Sequence, residues 1–248
     1  MRYDRLKDKV AVVTGSTRGI GRAIAIAYGR EGAKVVVSGR NAALCDEVVE
    51  IIKSEGGEAY AVPCDISKKE DIDNLFNKTL EKYGRLDVSV QNAGVAKFKS
   101  FLEMDKDTLD WMWGTNLYGT YFCAQRAAQI MVEQGQGGKI INMSSITYQT
   151  GQIGLSGYGP TKAGIAIMTK CMALEMAPYH INVNAIGPGT ILTDINRDEL
   201  DMERDEREIP LGIGKPEDLA GIAILLATEE SDYMTGHTVY VDGGYNIK

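Results

Sequence analysis

A tyrosine and a lysine stand four residues apart in Tyr158-Gly-Pro-Thr-Lys162, and a pair of serines, Ser144-Ser145, precedes them. At that spacing on a helix, two side chains share one face. An ammonium beside a phenol favours the phenolate, so the pair is expected to pull the tyrosine pKa down from about 10 toward neutrality. A phenol tuned in this way can take or give the proton of an alcohol or carbonyl oxygen. A serine hydroxyl nearby could steady that oxygen as charge develops on it. Taken alone, the same spacing also describes an ordinary surface pair, so its meaning depends on the elements around it.

The first of these elements is Val10-Ala-Val-Val-Thr14, a short apolar run of the kind buried on both faces of a sheet. It leads into Gly15-Ser-Thr17-Arg18-Gly19-Ile20-Gly21 and then a helical stretch, Arg22 to Gly32. A strand, a glycine turn and a helix form the arrangement in which a helix N-terminus receives a pyrophosphate. The spacing is Gly-x-x-x-Gly-x-Gly. A second strand, Lys34 to Ser38, completes a βαβ unit and ends in Ser38-Gly39-Arg40-Asn41. A site for NAD places a carboxylate there to bind the ribose hydroxyls. Here the position carries no acid. Arg40 and Arg18 could instead hold a 2′-phosphate, so the expected cofactor is NADP (NADPH), with NAD less favoured.

Further along, Asn41 to Glu55 is helical, Glu58 to Val62 is a third strand, and Ser67-Lys-Lys-Glu70 has the form of a capping box opening a helix to Tyr83-Gly84. Leu86 to Gln91 is a fourth strand, ending in Asn92-Ala93-Gly94. Asp105 to Glu133 reads as one long helical region containing Trp111, Trp113 and Asn116, with the tryptophans expected in the core or at a subunit contact. A fifth strand, Lys139 to Met143, delivers Ser144 and Ser145. This alternation specifies a single-domain α/β fold of Rossmann-like type, a doubly wound parallel sheet with helices on both faces. In such sheets ligands bind beyond the carboxyl ends of the strands. The glycine turn, Arg40, Asn92–Gly94 and Ser144–Ser145 all follow strand ends, so they converge on one edge.

Composition narrows the function classes. The 248 residues carry a net charge of −7, which argues against a nucleic-acid partner, since phosphate backbones need a basic stripe. Cys45, Cys64, Cys123 and Cys171 are widely spaced and the chain has only two histidines, so no metal site can be drawn. The cysteines read as free thiols in a reducing compartment, most of them buried. The charged N-terminus lacks the apolar core of a signal peptide, and no stretch suits a membrane span. A soluble, cytoplasmic protein is expected.

The chain resembles the short-chain dehydrogenase/reductase family over nearly its whole length. The residues that carry the resemblance are Thr14-Gly15-x-x-x-Gly19-Ile20-Gly21, Asp65, Asn92-Ala93-Gly94, Asn116, Ser145, Tyr158-x-x-x-Lys162, Pro188-Gly189 and the ending Val241-Asp242-Gly243-Gly244. The resemblance implies that Tyr158 is the acid/base and that Ser145, 13 residues before it, holds the substrate oxygen. It implies that Lys162 binds the nicotinamide ribose and that Asn116 supports a proton relay through water. The implied cofactor contacts are Gly15, Thr17, Arg18, Gly19, Ile20, Gly21, Arg40, Asp65, Ile66, Asn92, Ala93, Gly94, Tyr158, Lys162, Pro188, Gly189, Ile191 and Thr193. Pro160 departs from the family's small residue, but proline is tolerated in a first helical turn, so Tyr158 can still face Lys162.

The implied reaction is reversible hydride transfer between a nicotinamide and a small-molecule alcohol or carbonyl. Substrate contacts are expected from Ser145, Thr147, Gln152, Tyr158 and Thr190. Residues around 188–212, including the charged stretch Asp194 to Glu208, resemble a lid. Local similarity in Pro188–Asp194 and Ser100–Met104 points to sugar and polyol dehydrogenases. The alternatives are 3-oxoacyl-carrier-protein reduction and, more remotely, a cofactor-binding regulator without chemistry. A homotetramer is expected by analogy, with the tail Gly243 to Lys248 at a subunit contact.

Overall fold

In the computed structural model, residues 4–197 and 202–247 are described, apart from the side chains of 203–205. Seven strands form one parallel sheet: β1 (Val10–Val13), β2 (Lys34–Val37), β3 (Glu58–Ala61), β4 (Val88–Gln91), β5 (Gly138–Met143), β6 (Ile181–Pro188) and β7 (Thr238–Val241). Their order across the sheet is β3-β2-β1-β4-β5-β6-β7. The order reverses between β1 and β4, which opens a crevice at their carboxyl ends.

Strand alternation creates two cores. Ala11, Val13, Val35 and Val37 face one side of the sheet, where they pack with Ile24 and Tyr28 of α1 (Gly19–Arg30) and with Val48 and Ile52 of α2 (Ala42–Ser54). Val12 and Val36 face the other side, toward Leu75 and Phe76 of α3 (Lys69–Tyr83). Each such aliphatic side chain contributes about 1.5–3 kcal/mol on burial. That is why β1, and β2 after Lys34, are apolar at every position and carry no period-two pattern. Tyr28 Oη donates to the Ala223 carbonyl at 2.8 Å and so ties α1 to α8 (Ala220–Ala227).

Three elements differ from the sequence expectation. β6 was not anticipated, because Ile181-Asn-Val-Asn-Ala-Ile interrupts its apolar run with asparagines. The amides are used inside the sheet: Asn184 Nδ2 donates to the Met234 carbonyl at 2.8 Å, and its Oδ1 accepts from His237 N at 3.1 Å. The capping box at Ser67–Glu70 does not form. Lys68 is the N-cap of α3, and Ser67 Oγ donates instead to Asp65 Oδ1 at 2.8 Å. The long helical region divides into α4 (Lys106–Trp113), a π-helical stretch at 114–119 and α5 (Thr120–Gln134). Such widened turns occur where a side chain is re-aimed for a purpose, and Asn116 lies inside this one.

Two further helices complete the chain: α6 (Gly159–Met176) follows β5, and α7 (Met202–Glu208) lies between β6 and α8. Part of the stretch read as a lid, residues 198–201, lies outside the described residues. Among the described residues, no helix is long and apolar enough to cross a membrane.

Candidate active site

The ends of β1 and β4 are clamped to each other. Thr14 Oγ1 accepts from the backbone N–H of Asn92 and of Ala93, both at 3.1 Å. In return Asn92 Nδ2 donates to the carbonyls of Thr14 and Gly15, both at 3.0 Å. The clamp brings the glycine turn against the β4 end so closely that a Cβ on Gly15 would lie 2.7 Å from Ala93 Cα. Gly15 also sits at φ +62°, where side chains are strained. Helix α1 begins at Gly19, earlier than expected, and its N-cap Arg18 supplies no side-chain hydrogen bond to the first turn. The N–H groups of that turn are therefore available to an anion.

The reacting end is fixed by a reciprocal link between β5 and α6. Ser144 Oγ donates to the Lys162 carbonyl at 3.0 Å, and Lys162 Nζ donates to the Met143 carbonyl at 2.9 Å. Both serines line the cleft, but the Ser144 hydroxyl is thereby committed to structure, while Ser145 Oγ accepts from Thr147 N at 3.1 Å. Pro160 occupies the first turn of α6, behind the N-cap Tyr158, as a proline can. Lys162, 3% exposed, has its Nζ 5.4 Å from the centre of the Tyr158 ring.

The electrostatics depart from expectation. Burial pushes the Tyr158 phenol up to about 12, with the Ser145 hydrogen bond acting in the opposite direction. Burial also lowers Lys162, to about 8. Desolvation penalises both charged forms, so in this cleft the tyrosine is raised where the spacing alone suggested a lowering. At neutral pH Tyr158 is a phenol, ready to donate its proton.

A cleft of about 950 Å³ joins the two ends. It is lined by Gly15, Thr17, Arg18, Gly19 and Ile20, by Arg40, Asp65 and Ile66, by Asn92, Ala93 and Gly94, and by Ser145, Tyr158 and Lys162. Pro188, Gly189, Thr190, Ile191, Thr193, Thr147 and Gln152 line it as well. Gly21 and Asn116 do not. A Cβ on Gly21 would strike Asn92 Nδ2, so this glycine permits the clamp. Asn116 is fully buried behind the wall, where it exchanges two 2.8 Å hydrogen bonds with the backbone of Val95 and donates to Thr161 Oγ1 at 3.3 Å. It splices the extension of β4 to α6 just below Tyr158.

Some lining residues escaped the sequence reading. Trp111, expected in a core or subunit contact, is 43% exposed and lines the cleft, as does Phe98, while Ile153 lies in the stretch Ile146 to Gly157 that the sequence placed against the substrate. Tyr245 reaches the cleft from the chain's end. No local pattern signals Trp111, Phe98 or Tyr245, because each depends on how a loop or the tail folds back.

A family model described as enoyl-(acyl carrier protein) reductase matches residues 15–246. The chain belongs to the short-chain dehydrogenase/reductase family. It is 44% identical over 250 residues to an L-rhamnose 1-dehydrogenase (NAD(P)(+)) of Azotobacter vinelandii, covering 96% of this chain and 97% of that one. It is also 44% identical to an L-rhamnose-1-dehydrogenase of Scheffersomyces stipitis, covering 96% of both chains. Among solved structures, a short-chain type dehydrogenase/reductase from Mycobacterium marinum superposes with a TM-score of 0.96 at 35% identity, over 99% of this chain and 98% of that one. The protein is thus an oxidoreductase that uses a nicotinamide cofactor. The glycine cradle, which a Cβ at Gly15 would fill, and the uncapped first turn of α1 fit the cofactor's pyrophosphate.

Proposed function

We propose that this enzyme oxidises the anomeric hydroxyl of an aldose to a lactone, with NADP preferred over NAD. The observation that carries the reading is the meeting, in one cleft, of Tyr158, Lys162 and Ser145 with a polar wall bearing Thr147, Gln152 and Thr190. The relatives named as L-rhamnose 1-dehydrogenases supply the substrate class. A wall of neutral hydrogen-bonding side chains suits a polyhydroxy substrate.

The cofactor supplies a hydride acceptor when bound. The first turn of α1 and the backbone at Gly15–Gly19 hold the pyrophosphate. Arg18 and Arg40, both exposed at the cleft's edge, reach the 2′-phosphate, and Asp65 and Ile66 flank the adenine. Lys162 holds the nicotinamide ribose. Ser145 Oγ hydrogen-bonds the anomeric oxygen, and Tyr158 in its phenolate form takes that oxygen's proton while C1 loses its hydrogen with the bonding pair. The C1–O bond then becomes the lactone carbonyl. Asn116 acts through Val95 and Thr161, holding the site's two halves in register. The segment around 188–212 closes over the cleft, into which Ile195 and Ile209 already project. The exposed Tyr118, Tyr121, Ile167 and Leu174 give the chain an apolar face for assembly as a homotetramer.

The test is a turnover screen at the nicotinamide absorbance, with both cofactors against aldoses, polyols and 3-oxoacyl thioesters, beginning with L-rhamnose. Oxidation of an aldose with the better kcat/KM for NADP is expected. Activity confined to the thioesters would replace this reading with carrier-protein chemistry. Cofactor binding without turnover of any of them would leave a binding protein.

A further inference from the structure

We propose that Tyr245, paired with Gln152, reads a hydroxyl of the sugar remote from the reacting carbon, so that the C-terminal tail sets substrate specificity. The inference rests on the aldose reading above. The two residues are 93 positions apart, yet both line the same cleft, and Gln152 Nε2 lies 3.5 Å from Tyr245 Oη. That distance is the outer limit of a hydrogen bond, so the contact holds little energy. A ligand hydroxyl beside the pair can accept from the Gln152 amide and exchange a hydrogen bond with the Tyr245 phenol. The amide and the phenol each donate and accept, which matches a neutral hydroxyl and does not favour an anionic group.

The tail is built to hold this position. Gly243 and Gly244, at φ +62° and +87°, turn the chain back after β7. The Asp242 carboxylate accepts from Gly244 N at 3.0 Å and from Asn246 N at 3.1 Å, and its carbonyl accepts from Tyr245 N at 3.1 Å. Leu211 N donates to the Gly243 carbonyl at 3.0 Å, which fixes the turn from outside. A second observation points to a ligand at this end. Thr147 Oγ1 is buried and has no hydrogen-bond partner among the described residues, on a residue that lines the same wall. Phe98, Ile153 and Leu155 also line the cleft and offer carbon only, so hydroxyl recognition falls to the polar side chains.

The experiment compares wild type with Tyr245→Phe on the best aldose and on its deoxy analogues, each lacking one hydroxyl. On the parent sugar the variant is expected to lose about 10- to 100-fold in kcat/KM. On the one analogue lacking the hydroxyl that is read, the two enzymes should match. NADP affinity and Tm, which a merely structural residue would move, should stay unchanged. Gln152→Leu should single out the same analogue. An equal loss on every analogue, or no loss on any, overturns the proposal while leaving aldose oxidation in place. Failure of the wild type on every aldose would remove both.

Discussion

The two ends of the cleft are made differently. At the cofactor end the lining is strand ends and backbone, drawn together by the Thr14–Asn92 clamp until Gly15 has no room for a Cβ. At the substrate end the lining is side chains on loops and on the tail, and one of them, Ile153, is fully exposed. Close backbone packing leaves few residue types possible, whereas side chains on loops can be exchanged without disturbing the sheet. The first end is therefore suited to a ligand common to the family, and the second to a substrate particular to this chain. Between them stand Tyr158 and Lys162, whose positions are set from the sheet side by Met143 and Ser144.

The sharpest way to separate the two ends is to remove chemistry without touching either wall. Tyr158→Phe is expected to lower kcat by about 10³–10⁴, the scale of a lost acid/base, with NADP affinity little changed. Near-normal turnover would show that the proton moves elsewhere. The pH profile of the wild type bears on the same group. Oxidation requires the phenolate, and with Tyr158 pushed up to about 12 this fraction grows about tenfold per pH unit through the neutral range. Lys162, pushed down to about 8, sheds its charge above that pH and withdraws support from the phenolate as fast as ionisation proceeds. The rate of oxidation should rise to about pH 8 and level off, and a profile flat from pH 6 to 8 would contradict this assignment.

Next in size is a contrast between two glycines. Gly15→Ala puts a methyl 2.7 Å from Ala93 Cα at φ +62°, a strain of about 1–3 kcal/mol. We expect NADP binding, measured by titration, to weaken about 10- to 100-fold, with a lower Tm. Gly151→Ala lines the substrate end, where a Cβ meets nothing within 4 Å, and should leave cofactor affinity and Tm unchanged. Equal effects at the two positions would mean that the cofactor end is no more tightly built than the loop.

The same contrast explains what could be read from sequence. The sheet, the cradle and the approach of Tyr158 to Lys162 were legible because steric and helical rules act over a few residues, as in Val10–Gly21 and Tyr158–Lys162, whereas Ser145 was singled out from Ser144 only by the family's interval. β6 was missed because Asn182 and Asn184 look polar, though their amides are satisfied inside the fold. The lowered tyrosine pKa was wrongly expected because spacing reports the cation and not the burial, and burial dominates here. Tyr245 and Trp111 were invisible at the cleft because their places depend on long-range folding.

The smallest expected effect tests the edge of the cofactor end, where the lining returns to exposed side chains. Arg40 is exposed, so a phosphate contact there is partly screened by water. Its charge is also already shared. The Asp65 carboxyl is held below the usual carboxylate range although burial works against it, because two Ser67 hydrogen bonds and the Arg40 charge outweigh that cost. A guanidinium that partly serves a carboxylate discriminates less sharply for a 2′-phosphate, so the proposed preference for NADP is expected to be modest. Arg40→Ala should lower the NADP-to-NAD ratio of kcat/KM about tenfold, chiefly by weakening NADP. Equal losses with both cofactors would show that Arg40 does not reach the 2′-phosphate, and would leave Arg18, on the rigid turn itself, as the residue that selects.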